Sequence, residues 1–335
     1  MILTLVGVSY GTLDGTAQRA RGVGADLMIR PPGSAVIGLS TSPMSDELIA
    51  FVGGQPHVRL ATGTSVQPLG GWDSITGLDL DRFTKMSGGF EFLEGGPFKA
   101  NDDMLVDEYY AREKHLHVGD HVQLANHAWR VAGIFESGKL AHICVQLSVL
   151  QGLIGNEHRL SQIYVKVDSP DRIQTVLADL RTKMPGYQIY SMEEFTSLLS
   201  INSVGLLRNF IGVVIGVAVI VGFIVVFMAM YTAVLERTRE IGILKAVGAS
   251  SWLILDLLFR ETLLLSVLGT IFGILMTYGT QWLMKHAVPS SLTQETVYLW
   301  WPIAGGVAIV GALLGVVVPG IKAVRQDATE ALSYE

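Results

Sequence analysis

Residues 236–250 read ERTREIGILKAVGAS, a charged segment of helical pattern that ends in glycine and stands between two long uncharged runs. The run before it, 210–235, is uncharged throughout. At about 1.5 Å rise per residue it is long enough to cross a hydrocarbon core of about 30 Å. Two further uncharged runs, 262–284 and 299–321, have the same capacity. The pattern predicts spans at about 209–235, 253–284 and 299–321, with 236–250 as a short amphipathic helix between the first two. The C-terminal part of the chain, 204–335, is therefore expected to be a membrane domain.

Charge placement orients it. Arg237, Arg239 and Lys245 follow the first of these spans and Lys322 and Arg325 follow the last, whereas the connection between the other two offers Lys285. Cationic loops stay in the cytoplasm, so 236–252 and the C-terminus are expected there and the region before the first long span on the opposite side. The chain is 50% hydrophobic and 16% charged, with a net charge of -6. That balance gives no basic footprint for nucleic acid. The single cysteine, Cys144, cannot form an internal disulfide and is expected to be a small buried apolar residue.

The first residues, MILTLVGVSYGTL, are uncharged but about half a span long, and they lack the basic start and small-residue cleavage site of a secretory signal. We read 1–18 as the outer end of a first transmembrane helix whose beginning is missing, by truncation or a late start codon. The alternative is a buried strand or helix of the soluble domain. Residues 19–203 have the mixed composition of a water-soluble fold. Alternating segments at 25–30, 55–60, 67–69, 104–106, 121–124, 129–135 and 162–167 predict strands. Helices are predicted at 107–115, at 172–184 after a cap at Asp168 or Ser169, and at 192–207, the last running rigidly into the first long span. The expectation is an α+β domain.

Two motifs here invite chemistry. GIFESGKL at 133–140 begins like a phosphate-binding loop, but Leu140 stands where Ser or Thr would meet magnesium, and the strand-turn-strand reading is preferred. His115, His117, His121 and His127 lie near Asp107 and Glu108 and suggest a zinc site, yet VGDHVQL reads as a turn and a strand with surface histidines. We therefore expect no metal site and no catalytic group. In the spans, glycine pairs four apart, Gly212 and Gly216, Gly269 and Gly273, Gly311 and Gly315, favour close helix packing. Asp256, Arg260 and Glu261 lie one or two turns before an uncharged stretch. At that depth Arg260 is expected to reach the headgroups and Glu261 to pair or cap within the bundle.

LERTREIGILKAVGAS, then FRETLLLSVLGTIFGIL, then VVPGIKAVRQDATEAL, together with GVGADLMIRPP near the start, resemble the FtsX-like or MacB-like permease family of ABC transporters. The resemblance implies an integral membrane α-helical bundle of four spans, the first incomplete here, with the α+β extracytoplasmic domain inserted between the first and second. It implies that the cytoplasmic helix docks on a separate ATPase subunit. The matching residues are Glu236, Arg237, Arg239, Glu240, Ile241, Gly242, Lys245, Gly248 and Ala249. On physical grounds the helix is expected to present Ile241, Leu244 and Lys245 and to end at Gly248.

The resemblance further implies a second permease chain, identical or related, and ATP and Mg bound by the partner ATPase rather than by this chain. It leaves open a periplasmic adaptor or outer-membrane component. The expected function is a non-enzymatic transport subunit of the cytoplasmic (inner) membrane, using mechanotransmission to export or extract a lipoprotein, peptide, drug or haem. The alternative is an FtsX-type regulator of a cell-wall hydrolase; a membrane enzyme would need a polar constellation that the outer region lacks.

Overall fold

The structure is a computed structural model and describes residues 2–34, 43–70, 73–199, 205–287 and 296–325. It divides into two compact units, one of Met1–Val8, Leu206–Trp282 and Glu295–Glu335, the other of Ser9–Gly205 and Leu283–Gln294. The first helix, α1 (Ile2–Gly22), runs unbroken through residues of both. It is longer than the 1–18 expected, and its later turns carry Ala17 and Ala20 into the core of the mixed unit.

In that unit the chain continues with β1 (Leu27–Arg30), β2 (Met44–Ser45), α2 (Glu47–Gly53), β3 (Val58–Gly70), β4 (Asp73–Leu78) and α3 (Leu80–Ser87). Next come β5 (Phe92–Gly95), β6 (Asp103–Asp107), α4 (Glu108–Lys114), β7 (His121–Leu124), β8 (His127–Phe135), β9 (Ile143–Gln146) and α5 (Leu147–Leu153). The unit closes with β10 (Arg159–Leu160), β11 (Gln162–Val167), α6 (Ile173–Lys183), β12 (Gln188–Ser191) and α7 (Met192–Leu198). Its main sheet has the order β12-β1-β11-β3-β4-β9-β6-β8-β5, with β7 paired to β8. Neighbours are antiparallel except β4 with β9 and β6 with β8.

Strand β3 holds the sheet together. Its first half pairs with β11 and its second half with β4, both registers meeting at Thr64. The segments predicted at 55–60 and 67–69 fall on this one strand from residue 58 onward, while 55–57 precede it. Its middle, ATGT, hides the alternation because Gly63 lies under Leu160: a Cβ there would stand 2.4 Å from the Leu160 Cδ1. Both faces of the sheet are covered, so strands read as continuous apolar runs. In β1, Leu27 and Ile29 join a cluster with Val176, Leu177 and Leu180 of α6, while Met28 joins Phe83 and Met86 of α3 on the other face. In β9, Ile143 and Val145 face Trp129 and Leu150, and Cys144 turns to the opposite cluster, where it is fully buried and burial pushes its thiol pKa up.

Capping sets helix starts. The Asp107 carboxylate accepts the Tyr110 N–H at 2.9 Å and opens α4. Ser191 and Glu194 form a reciprocal capping box that opens α7. That helix ends at Leu198, with Leu199 as its C-cap. The rigid helix expected from 192 into the first long span is thus not formed, and 200–204 lie outside the described residues. Before α6, Pro170–Arg172 form one 3-10 turn; Ser169 precedes it without a side-chain cap, and Asp168 pairs instead with His57.

The other unit contains α8 (Gly205–Glu236), α9 (Thr238–Ala246), α10 (Ser251–Ala287) and α11 (Trp300–Arg325). Three of these are long and apolar enough to cross a membrane, at Asn209–Glu236, Ser251–Met284 and Trp300–Lys322. Their side chains point outward to a degree no water-soluble core would tolerate: Val213, Phe272 and Met276 are each more than three-fifths exposed.

Candidate functional site

Helix α9 sorts its residues by face. Thr238, Ile241 and Gly242 are buried, and Ile241 packs in a cluster with Met230 and Val234 of α8, Ile254 and Leu258 of α10 and Val316 of α11. Arg239, Glu240, Ile243, Leu244 and Val247 are exposed. Spacings of four residues put 239, 243 and 247 in one row and 240 and 244 in the next. The helix ends in a glycine motif: the Gly248 N–H donates to the Lys245 carbonyl and the Ala249 N–H to the Leu244 carbonyl, both at 2.9 Å, with Gly248 at φ 97°. Only glycine adopts that conformation without strain. Trp252, at the start of α10, is 77% exposed.

The expected outward face of Ile241, Leu244 and Lys245 is corrected on two counts. Ile241 is in the core, and the Lys245 ammonium turns inward to donate to the Val324 carbonyl at the end of α11. A helix end leaves carbonyls unsatisfied, and a cation there meets both the hydrogen-bond need and the dipole. Arg237 joins α8 to α9 as the N-cap residue and reaches both carboxylate oxygens of Glu261 on α10, at 3.2 and 3.3 Å. Arg260 pairs with Asp256 one turn earlier at 2.8 Å. Lys322 meets Tyr231 of α8, with its ammonium 4.5 Å from the ring centroid. The inward cations were not legible in the sequence, because spacing gives a face but not which face the bundle covers.

Of the glycine pairs, Gly315 sits against α8, its would-be Cβ 3.2 Å from Val226 Cγ1, and Gly311 makes looser contact with Val219. Gly212, Gly216, Gly269 and Gly273 have open space where a Cβ would go, among the described residues. The close approaches sequence reading missed are Gly305 against Thr270 and Gly320 against Leu255. An apolar cavity of about 510 Å³ lies among α8, α10 and α11 and includes Gly269 and Gly273 in its wall. Its Thr262, Thr270 and Thr277 hydroxyls bond to carbonyls of their own helix.

The two motifs of the mixed unit have structural roles. In GIFESGKL, Gly133–Phe135 end β8 and a tight loop leads to β9, with Gly138 and Leu140 at φ 101° and 60°. The Lys139 ammonium donates to the Gly89 carbonyl at 2.8 Å and to Glu91 at 3.2 Å, so it is engaged within the protein. Among the described residues no three potential metal ligands come together. His115 is the left-handed C-cap of α4, His117 sits beside Asp120, His121 lies in β7 opposite Arg130, and His127 pairs with Asp102 at 2.9 Å. An ion pair with a buried carboxylate supports this region. Asp103 is fully buried and accepts from the Lys99 and Ala100 N–H groups and from Arg130, whose Nη2 is 2.6 Å away. Burial alone would raise its pKa, and these donors together hold it below the usual carboxylate range.

A sheet-based unit joined to long apolar helices, with a short helix between two of them, defines a membrane protein carrying a large non-membrane domain. Residues 1–183 match the family model described as MacB-like periplasmic core domain, and 212–328 match the FtsX-like permease C-terminal. With more than half of its 335 residues in the first match, the chain belongs to the FtsX-like and MacB-like family of ABC transporter permeases. It has transmembrane helices and an extracytoplasmic domain.

An uncharacterized ABC transporter permease of Bacillus subtilis, YknZ, is 28% identical over 227 residues, 65% of this chain and 55% of that one. The macrolide export ATP-binding/permease protein MacB of Marinobacter nauticus is 27% identical over 172 residues, 50% of this chain and 26% of that one. The chain therefore spans little more than half of YknZ and about a quarter of that MacB. Among solved structures, the periplasmic region of MacB from Actinobacillus actinomycetemcomitans matches with a TM-score of 0.41 at 14% identity, covering 53% of this chain and 94% of that one.

Proposed function

We propose that this chain is the membrane subunit of a transporter in the cytoplasmic membrane, moved by a separate ATPase that grips the exposed face of α9. The observation that carries the reading is α9 itself: a short helix between two spans, its inner face locked into the bundle and its outer face formed by Ile243, Leu244 and Val247, with Arg239 and Glu240 at its N-terminal end. A rigid knob with an apolar face and charges at one end suits a groove on a soluble partner. In this reading α9 and the C-terminus are cytoplasmic, 19–203 is outside, and four spans with a second permease chain complete the complex. ATP and Mg belong to the ATPase. The work done is extraction or export of an amphipathic or hydrophobic cargo.

The test is recovery of an ATPase with the tagged protein from native membranes in mild detergent. Leu244→Asp with Val247→Asp should lower the co-purified ATPase at least about tenfold, a loss of about 1.4 kcal/mol, without changing the elution of the permease itself. Lys245→Glu is the contrasting variant, because it should disturb the end of α11 within the chain. Undiminished ATPase in the double aspartate variant would overturn this docking face.

A further inference from the structure

Two histidine–aspartate contacts hold α2 at both ends, and nothing in the transport reading uses them. His158 Nδ1 lies 3.0 Å from Asp46 Oδ2, and the Asp46 N–H donates to the His158 carbonyl, also at 3.0 Å. His57 repeats the arrangement with Asp168: ring nitrogen to carboxylate at 3.0 Å, and the Asp168 N–H to the His57 carbonyl at 3.0 Å. The partners are 112 and 111 residues apart in the chain. Each of the segments 46–57 and 158–168 gives one aspartate and one histidine, so two remote stretches are clasped twice. Both histidines are left-handed, at φ 58° and 65°. Residues other than glycine seldom adopt that conformation, and surrounding contacts must hold it. Asp46 is the N-cap residue of α2, yet its side chain caps no helix N–H. The carboxylate that ordinarily does so faces His158 instead.

Helix α2 depends on such ties. It has seven residues, and helices that short persist only through tertiary contacts. It lies over the sheet where Gly63 has no room for a side chain: a Cβ there would meet Leu160 and stand 3.0 Å from the Ile49 Cδ1 of α2. Val52 is fully buried in the same cluster as Leu160. The helix is thus a cover over an apolar patch, and its fastenings carry titratable rings. His158 is faced by Asp46 and Glu47 from α2 and by Glu157 from its own loop; the hydrogen bond to Asp46, and then the charge of that carboxylate, raise its pKa from the ordinary 6.5. His57 is faced by Asp168, while Arg59, two residues on, is exposed. Lys183 of α6, which reaches the same turn, is held by Gln55 at 2.8 Å and Asp179 at 2.7 Å. We propose that this pair of clasps makes α2 a pH-sensitive cover of the extracytoplasmic unit, fastened in mildly acidic surroundings and loosened in alkaline ones, with His57 and His158 as its sensors. For His158 the sign follows from its raised pKa: the contribution is present below the ordinary value and is lost as pH rises through the raised one.

The experiment follows amide hydrogen exchange of α2 in the full chain in detergent at about pH 5.5 and about pH 8, on either side of histidine's ordinary value, with rates corrected for the intrinsic pH dependence of exchange and referred to α3. In the parent, α2 should exchange about threefold to tenfold faster, relative to α3, at the higher pH, the size expected of two exposed ion pairs. Two double variants remove charge from the clasps. His57→Asn with His158→Asn uses a residue that tolerates the left-handed backbone. Asp46→Asn with Asp168→Asn leaves both histidines and both backbone bonds in place, and asparagine is itself a favoured N-cap. Both should lose the pH dependence. His115→Asn is the control: His115 is also left-handed, at φ 53°, but makes no ion pair among the described residues, and its variant should respond as the parent does. A purely structural role would speed exchange in both double variants by the same factor at both pH values, and that result would overturn the proposal. So would a parent whose α2 exchanges alike at the two pH values, or one whose α2 and α3 change together, since pH would then act on the whole unit. If the histidine variant does not fold, the aspartate variant decides.

Discussion

The two units of this protein solve the same problem for different solvents. In the extracytoplasmic unit apolar side chains go inward on both faces of one sheet, and the buried Asp103 carboxylate is satisfied by two N–H groups and Arg130. In the membrane unit the most apolar windows of the three spans are only 6%, 11% and 33% buried, and the ionic contacts of Arg237, Glu261, Asp256 and Arg260 gather toward one end of the bundle. Water drives the first arrangement by the cost of exposed apolar area. The hydrocarbon removes that drive, so helices there associate through small residues and a few polar ties. Burial therefore predicts the importance of a residue in one unit and misleads in the other.

The largest expected effect comes from a direct contrast of two aromatic truncations. Trp129 is wholly buried and donates to the Leu124 carbonyl, so Trp129→Ala should cost the extracytoplasmic unit about 3 to 5 kcal/mol. Phe272 is 67% exposed, and Phe272→Ala should change stability by no more than about 0.5 kcal/mol. Pulse proteolysis of each variant in detergent reads both, and comparable losses would break the distinction between the units.

A smaller effect, about 2 to 3 kcal/mol, is expected for Arg130→Ala, which leaves the buried Asp103 carboxylate without its cation. The pH dependence has a definite sign. A carboxyl held below its ordinary value of 3.8 in the folded state stabilises the fold above that value, and the contribution disappears as pH falls through the depressed one. Removing Arg130 raises the folded value, so acid unfolding followed by circular dichroism should begin at higher pH. An unchanged acid midpoint would mean that the Lys99 and Ala100 N–H groups suffice.

The smallest effect belongs to the membrane unit. Arg237 and Glu261 are partly exposed, at 53% and 33% of their side chains, and Arg237→Gln should cost no more than about 1 kcal/mol, less at high salt. Thermal unfolding at two ionic strengths checks it. A loss several times larger and independent of salt would show that this pair behaves like Arg130 and Asp103, sharpening the comparison into one of depth rather than solvent.

Legibility followed the range of the interaction. The sequence placed β7 at 121–124 and a helix at 107–115, where α4 forms, because short-range residue patterns are local signals. It missed β5, β9 and β12, which are short and pair with strands remote in sequence, and also β4, which pairs with β3, its neighbour in the chain. It divided β3 because Gly63 is dictated by Leu160, a residue of another strand. At α9 it gave the helix and its glycine end but turned the wrong side outward. Of the residues expected outward, Ile241 packs in the core of the bundle and Lys245 turns to the Val324 carbonyl.

By itself the sequence determined that three segments are long and apolar enough to span a membrane, that a charged helix separates two of them, and that a mixed domain precedes them. Length and charge are properties of a segment alone, and a segment in hydrocarbon must satisfy its own backbone by forming a helix. The tertiary structure alone decided which face of α9 is free, which glycines meet other backbones, and that the loop resembling a phosphate cradle instead receives Gly22 at the end of α1. Those outcomes depend on groups far apart in the chain that approach within a few ångströms, and close packing makes them specific to positions that no local pattern marks.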